Sequence, residues 1–91
     1  RWSMQLQGDE RAEVINRLRR VEGQIAGIVR MLEDDRECAE VVTQLSAASR
    51  ALHRAGFKVI SSGLQQCFEA EDSEESAAAR LQLEKLFLTF A

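Results

Sequence analysis

Two long apolar stripes, each spaced by threes and fours with no proline to interrupt them, limit this chain most. In the first, Val14, Ile15, Leu18, Val21, Ile25, Ile28, Val29 and Leu32 recur at a period near 3.5, which is helical and not strand-like. In the second, Cys38, Val41, Val42, Leu45, Ala48, Leu52, Ala55, Val59, Ile60, Leu64 and Cys67 repeat the pattern over a longer run. The polar cluster Glu33-Asp34-Asp35-Arg36 separates the stripes as a turn. A second acidic break at residues 69–75 precedes a shorter helix, with Ser73 or Ser76 as its cap and Ala77, Leu81, Leu83, Leu86, Phe87 and Phe90 as its apolar face. The pattern predicts an all-α chain, one domain over 1–91, with helices over about 9–33, 37–66 and 74–90 behind a flexible lead at 1–8.

Composition removes several alternatives. A chain of 91 residues has room for one core, and 45% hydrophobic residues exclude disorder. With no proline and five glycines, a turn-rich β-sandwich is excluded as well. No run of eighteen apolar residues spans a membrane, and no signal-peptide pattern is present, so the expected home is the cytoplasm. Arg1-Trp2-Ser3 ahead of Met4 reads as an upstream extension. The net charge of −3 hides an asymmetry: residues 69–91 carry a net −4, whereas Val41 to Phe68 contain no acid but include Arg50, Arg54 and Lys58. A basic face on the long helices is therefore compatible with an acidic chain.

Cys38 and Cys67 are 29 residues apart, close to eight helical turns, so both lie on one face of the second helix. A continuous helix holds them roughly 43 Å apart at 1.5 Å per residue. A second copy laid antiparallel about a two-fold axis near Leu52 and His53 brings Cys38 of one chain beside Cys67 of the other, twice per dimer. Spacing alone leaves two readings open: inert apolar cysteines, or a pair that works across chains. One histidine, His53, is midway between the thiols, beyond reach of either, where it packs or hydrogen-bonds near the axis. Closed tetrahedral zinc lacks ligands, while two thiolates suit linear Cu(I) or sulfur chemistry. No Cys-x-x-Cys occurs and no histidine neighbours either thiol, so a thiol enzyme is not expected.

The segment Arg17-Leu18-Arg19-Arg20-Val21-Glu22-Gly23-Gln24-Ile25-Ala26-Gly27-Ile28, with Cys38 followed by Val41-Val42-Thr43-Gln44-Leu45-Ser46-Ala47, resembles the copper-sensitive-operon repressor family, which includes nickel/cobalt, formaldehyde and persulfide sensors. The likeness runs from about Asp9 to Phe68 and continues more weakly beyond. It implies a three-helix protomer, an antiparallel four-helix-bundle dimer and a dimer-of-dimers tetramer. The two family cysteines fall on Cys38 and Cys67, but the histidine of copper sensors falls on Gly63 and their tyrosine before the first cysteine on Glu37. A glutamate of the third helix would fall near Leu83 or Glu84.

Two cysteines without the histidine resemble the persulfide-sensing branch. That likeness implies a repressor that releases operator DNA when low-molecular-weight persulfides or polysulfides link Cys38 and Cys67 of two protomers by di-, tri- or tetrasulfide bridges, and it points to control of sulfide-detoxification genes. Arg36 and the helix N-terminus mark Cys38 as the attacking thiol, with Cys67 resolving. The alternative is a Cu(I) sensor using the same two thiolates without the family histidine; otherwise no cofactor is expected. By resemblance, Arg17 and Arg54 contact DNA, and charge alone adds Arg20, Arg50 and Lys58. Arg19 and Arg30 read as a solvated face.

Overall fold

The structure, a computed structural model, describes residues 5–90; the extension at residues 1–3 and the first half of the lead expected at 1–8 lie outside the described residues. Three helices follow in order, α1 (Gly8–Glu33), α2 (Cys38–Glu69) and α3 (Glu74–Phe90). The all-α class is observed. The second helix starts one residue later and runs three residues further than the sequence pattern predicts, because Phe68 and Glu69 continue the last turn before Ala70 leaves helical geometry.

Helix α1 opens with Asp9 and Glu10, whose charges suit the positive end of the helix dipole. It ends in a Schellman turn: the Asp35 N–H reaches the Leu32 carbonyl (3.2 Å) and the Arg36 N–H reaches the Met31 carbonyl (2.9 Å). That turn needs a left-handed residue, and Asp35 takes φ 57° there. Arg36 then grips Glu40 with two prongs, Nε to Oε2 at 2.9 Å and Nη2 to Oε1 at 3.2 Å, across the first turn of α2.

Helices α1 and α2 form an antiparallel hairpin with a seven-residue rhythm. Val14, Val21 and Ile28 are buried on α1, and Val41, Ala48, Ala55 and Ser62 on α2. The alanines let the backbones approach closely. Two polar contacts hold the register: Ser62 donates to the Glu10 carboxylate (2.6 Å), and Lys58 pairs with Glu13 (3.4 Å). The single stripe read on each helix is thus two seams. The narrow one closes the hairpin. The other stays exposed, with Ile15, Leu18, Ile25, Val29 and Leu32 on α1 and Val42, Leu45, Leu52 and Val59 on α2.

Helix α3 folds back along the C-terminal half of α2 and does not touch α1. Both expected caps are used. The Ser73 hydroxyl accepts from the Ser76 N–H (3.1 Å), the Ser76 hydroxyl accepts from the Ser73 N–H (3.1 Å), and the Ser76 O–H reaches the Glu71 carbonyl (3.0 Å). The expected apolar face is only partly the observed one: Leu83 is buried and Phe90 half-buried, while Ala77, Leu81, Leu86 and Phe87 remain exposed and the polar Ser76 is buried. Phe90 lies over α2 where Gly56 leaves room, since a Cβ at Gly56 would overlap its ring. Phe57 meets Phe87 and Phe90 at 5.4 and 5.6 Å between centroids. No described helix is long and apolar enough to cross a membrane.

Two outcomes follow from this packing. Gly56→Ala gains about 1 kcal/mol of helix propensity but overpacks Phe90, at a cost of about 1–3 kcal/mol. It is expected to lower the Tm of the native sequence and to raise it in a Phe90→Ala background; equal stabilisation in both would mean that α3 does not seat on Gly56. Asp35→Gly relieves the left-handed residue and should stabilise by up to about 1 kcal/mol, read as a higher urea midpoint at unchanged slope.

Candidate sensor and nucleic-acid surfaces

The two thiols are at the two ends of one unbroken helix. Cys38 is the first residue of α2 and is exposed. Cys67 lies in its last turn and is buried, 8% exposed. Gly56 and Gly63 do not break the helix between them, so the separation of roughly 43 Å along the axis holds. Among the described residues of one chain, no three His, Cys, Asp or Glu side chains gather as a metal site. One protomer therefore brings one sulfur to each end of α2 and completes no site by itself.

The ends differ in surroundings. Cys38 follows Glu37 and stands on the exposed side of α2, level with Val42 and Leu45. Arg36, expected to favour the Cys38 thiolate, is instead committed to Glu40 by its two-pronged pair. That pair holds the Arg36 pKa above and the Glu40 pKa below their ordinary values, chiefly through the shared hydrogen bond. The helix N-terminus remains at Cys38. Cys67 borders a hollow of about 220 Å³ with Phe68, Asp72, Ser76 and Arg80, and the Arg80 guanidinium stands 6.0 Å from the Phe68 ring. Arg80 is on α3, in an acidic stretch of chain that offered no hint of it.

Gly63, where the resemblance places the histidine of copper sensors, is buried beside a smaller hollow of about 120 Å³ lined by Gln5, Leu6, Val59, Gln66 and Leu83. Gln66, next to Cys67 in sequence, donates to the Gln5 carbonyl (2.9 Å), so the chain ahead of α1 lies along the Cys67 end of α2. Leu83 faces this cavity and Glu84 pairs with Arg80 (3.7 Å). His53 is at the middle of α2; its Nδ1–H donates to the Ser49 carbonyl (3.0 Å) and its ring meets Phe90 edge-on at 5.0 Å. It packs and hydrogen-bonds, remote from both thiols.

The basic candidates converge on one flank of the hairpin. Arg50, Arg54 and Lys58 follow one another at one-turn intervals on α2. The Glu13–Lys58 pair fixes the register, and one turn further along each helix brings Arg17 level with Arg54. Arg20, Arg50 and Arg54 are exposed, while Arg17 and Lys58 are half-buried. Glu13, an acid that suits the N-terminal end of α1 and was not among the candidate site residues, sits among them with Arg17 Nη2 on Oε1 (3.1 Å) and Lys58 Nζ on Oε2 (3.4 Å). The Arg17 hydrogen bond, then the Lys58 charge, holds its carboxyl below the usual carboxylate range.

A family model of metal-sensitive transcriptional repressors matches residues 10–89. The chain belongs to this family. Its members are transcriptional repressors. Among similar proteins, a copper-sensing transcriptional repressor of Bacillus subtilis, CsoR, is 30% identical over 82 residues, 86% of this chain and 81% of its own. The copper-sensing repressor RicR of Mycobacterium tuberculosis is 47% identical over 51 residues, 56% of this chain and 53% of its own. CsoR of Mycobacterium ulcerans is 40% identical over 62 residues, 68% of this chain and 53% of its own. The chain thus spans about half the length of these mycobacterial relatives.

The asymmetry between the thiols predicts two-phase alkylation. In reduced native protein, iodoacetamide should modify Cys38 roughly tenfold or more faster than Cys67, and denaturant should equalise them. Peptide mass spectrometry over time reads both; equal native rates would contradict the burial of Cys67.

Proposed function

We propose that this repressor takes Cu(I) between the Cys38 thiolate of one protomer and the Cys67 thiolate of an antiparallel partner, and releases operator DNA when the ion is bound. One observation carries the reading: two sulfurs stand at opposite ends of a continuous α2, with the exposed apolar seam of Val42, Leu45, Leu52 and Val59 between them. A second copy laid head-to-tail on that seam covers it and gives each sulfur a mate. Two such dimers make the tetramer of the family pattern. Copper as inducer draws its support from the similar repressors, which are named for copper sensing. Two thiolates suit the low coordination number of Cu(I), and binding displaces their protons.

DNA binding is assigned to the flank that carries Arg17, Arg20, Arg50, Arg54 and Lys58. Repeated in each protomer, these cations release counterions from phosphate and read the shape of the duplex. Copper at both ends of the paired α2 helices changes how they pack and takes the flanks out of register with the phosphates. A hundredfold release corresponds to a coupling of about 2.7 kcal/mol.

Gly63 favours a second reading, the persulfide sensor, because it offers no third donor where the copper pattern has a histidine. One set of experiments separates the two. Operator fragments are selected by the protein from random DNA, and anaerobic Cu(I) is titrated against a competing chelator while DNA binding is followed by anisotropy. The copper reading expects tight, stoichiometric binding, release of DNA, and loss of both in Cys38→Ser and Cys67→Ser. Weak copper binding, with intact masses of linked dimers raised by one or two sulfurs after persulfide treatment, would replace it by the sulfur reading.

A further inference from the structure

We propose that Glu13 is an internal stand-in for phosphate, which holds Arg17 and Lys58 in the DNA-free protein and has to give them up when a duplex binds. The inference rests on the reading that this flank contacts DNA. It starts from the geometry of three side chains on two helices. One carboxylate oxygen of Glu13 accepts from Arg17 Nη2 at 3.1 Å, one turn along α1, and the other faces Lys58 Nζ at 3.4 Å across the hairpin. Two oxygens of one acid thus engage a guanidinium and an ammonium together, as two oxygens of a phosphodiester do. All three side chains are about two-fifths exposed, at 42%, 42% and 38% for Glu13, Arg17 and Lys58, so a phosphate can reach the cations from solvent.

The clasp is built to exchange. Arg17 makes a one-pronged pair, and its Nε is buried without a hydrogen-bond partner. Arg36, in contrast, uses a two-pronged fork on Glu40 to fix a helix start. Exposed one-pronged pairs contribute little to stability, so the cost of opening the Glu13 clasp is small compared with a phosphate contact. Its two cationic neighbours keep Glu13 ionised through the neutral range, so the clasp is a constant competitor and not a pH switch. Glu13 thereby lowers the affinity of the flank and keeps Arg17 and Lys58 from gripping DNA indiscriminately. In an assembly of like chains the effect repeats in every protomer.

Glu13→Gln keeps the shape and removes the charge. Binding of a fluorescein-labelled duplex of mixed sequence is measured by anisotropy across a series of NaCl concentrations, beside Arg17→Ala, the Glu13→Gln/Arg17→Ala double variant and Glu33→Gln. The last removes the same charge about 24 Å along α1 from Arg17, beyond the Debye length. Glu13→Gln should bind about two- to tenfold tighter at low salt, the scale of one or two exposed pairs given up. Its log–log salt slope should steepen by up to about 0.9 for each further phosphate that the freed cations neutralise. Glu33→Gln should change affinity less, and the gain from Glu13→Gln should shrink when Arg17 is absent. If Arg17→Ala weakens binding while Glu13→Gln leaves it unchanged or weaker at unaltered Tm, the stand-in role is overturned and the DNA surface survives. If Arg17→Ala has no effect, the surface assignment itself falls and the inference goes with it.

Discussion

The rest of the molecule depends on the close approach of α1 and α2 along one seven-residue seam. Val14, Val21 and Ile28 meet a helix whose matching positions are Val41, Ala48, Ala55 and Ser62. Alanine on one side and β-branched residues on the other allow a short interaxial distance, and close packing makes that register costly to shift. The polar pins follow from the register: Glu10 reaches Ser62, and Glu13 reaches Lys58. A slip of one turn would unpin both acids and separate Arg17 from Arg54. The placement of the basic flank is therefore a consequence of how the narrow seam closes.

Small residues inside leave the large ones outside. Nine leucines, isoleucines and valines on α1 and α2 are between 38% and 60% exposed. At roughly 1 kcal/mol recovered for each half-exposed aliphatic side chain, covering them is comparable with the entire net stability of a small domain, about 5–15 kcal/mol. The shape agrees: the radius of gyration is 17.1 Å, against about 12 Å for a compact chain of this length. A hairpin built this way is half of a core, and the outward seam on α2 starts beside Cys38 and stays exposed as far as Val59. Helix α3 accounts for the unequal thiols. It covers the Cys67 end of the α2 face and leaves the Cys38 end open.

Much of this was legible in the sequence, and the gaps have identifiable causes. Helix number and type followed from the period of the stripes, because spacings of three and four without proline admit little else. A serine cap for α3 was legible after the acidic break, with Ser73 and Ser76 left as alternatives that the reciprocal hydrogen bonds both use. The splitting of each stripe into an inward and an outward seam was not legible, since valine, isoleucine and leucine satisfy either seam and only the alanines at 48 and 55 distinguish them. The α3 face was misjudged in part for the same reason: its apolar residues nearly surround the helix, so the contact with Gly56 and Phe57 decides the orientation. Arg36 misled because its nearest thiol in sequence is not its partner in space; Glu40, one turn on, competes successfully with two hydrogen bonds. Glu13 was not a site candidate because an acid in the first turns of a helix already has an explanation in the helix dipole.

The proposed sensor and the proposed DNA surface share one rigid element, which bears on how a signal could travel. Arg54 is 16 residues from Cys38 and 13 from Cys67, roughly 24 and 20 Å along α2. Between the thiols and the arginines lie the tight seam against α1 and the aromatic contacts of Phe57, Phe87 and Phe90. A continuous helix does not transmit a local bond by stretching. It transmits by moving as a body, and a tether at each end of an antiparallel pair constrains the crossing angle of the two helices more strongly than a tether at the centre. The lever arm from a terminal sulfur to the central basic stripe then converts a small change of angle into a displacement of the cations relative to fixed phosphate spacing. On this account the cysteines belong at the ends of α2 and the arginines at its middle, and exchanging those positions would weaken the coupling even with every residue type retained.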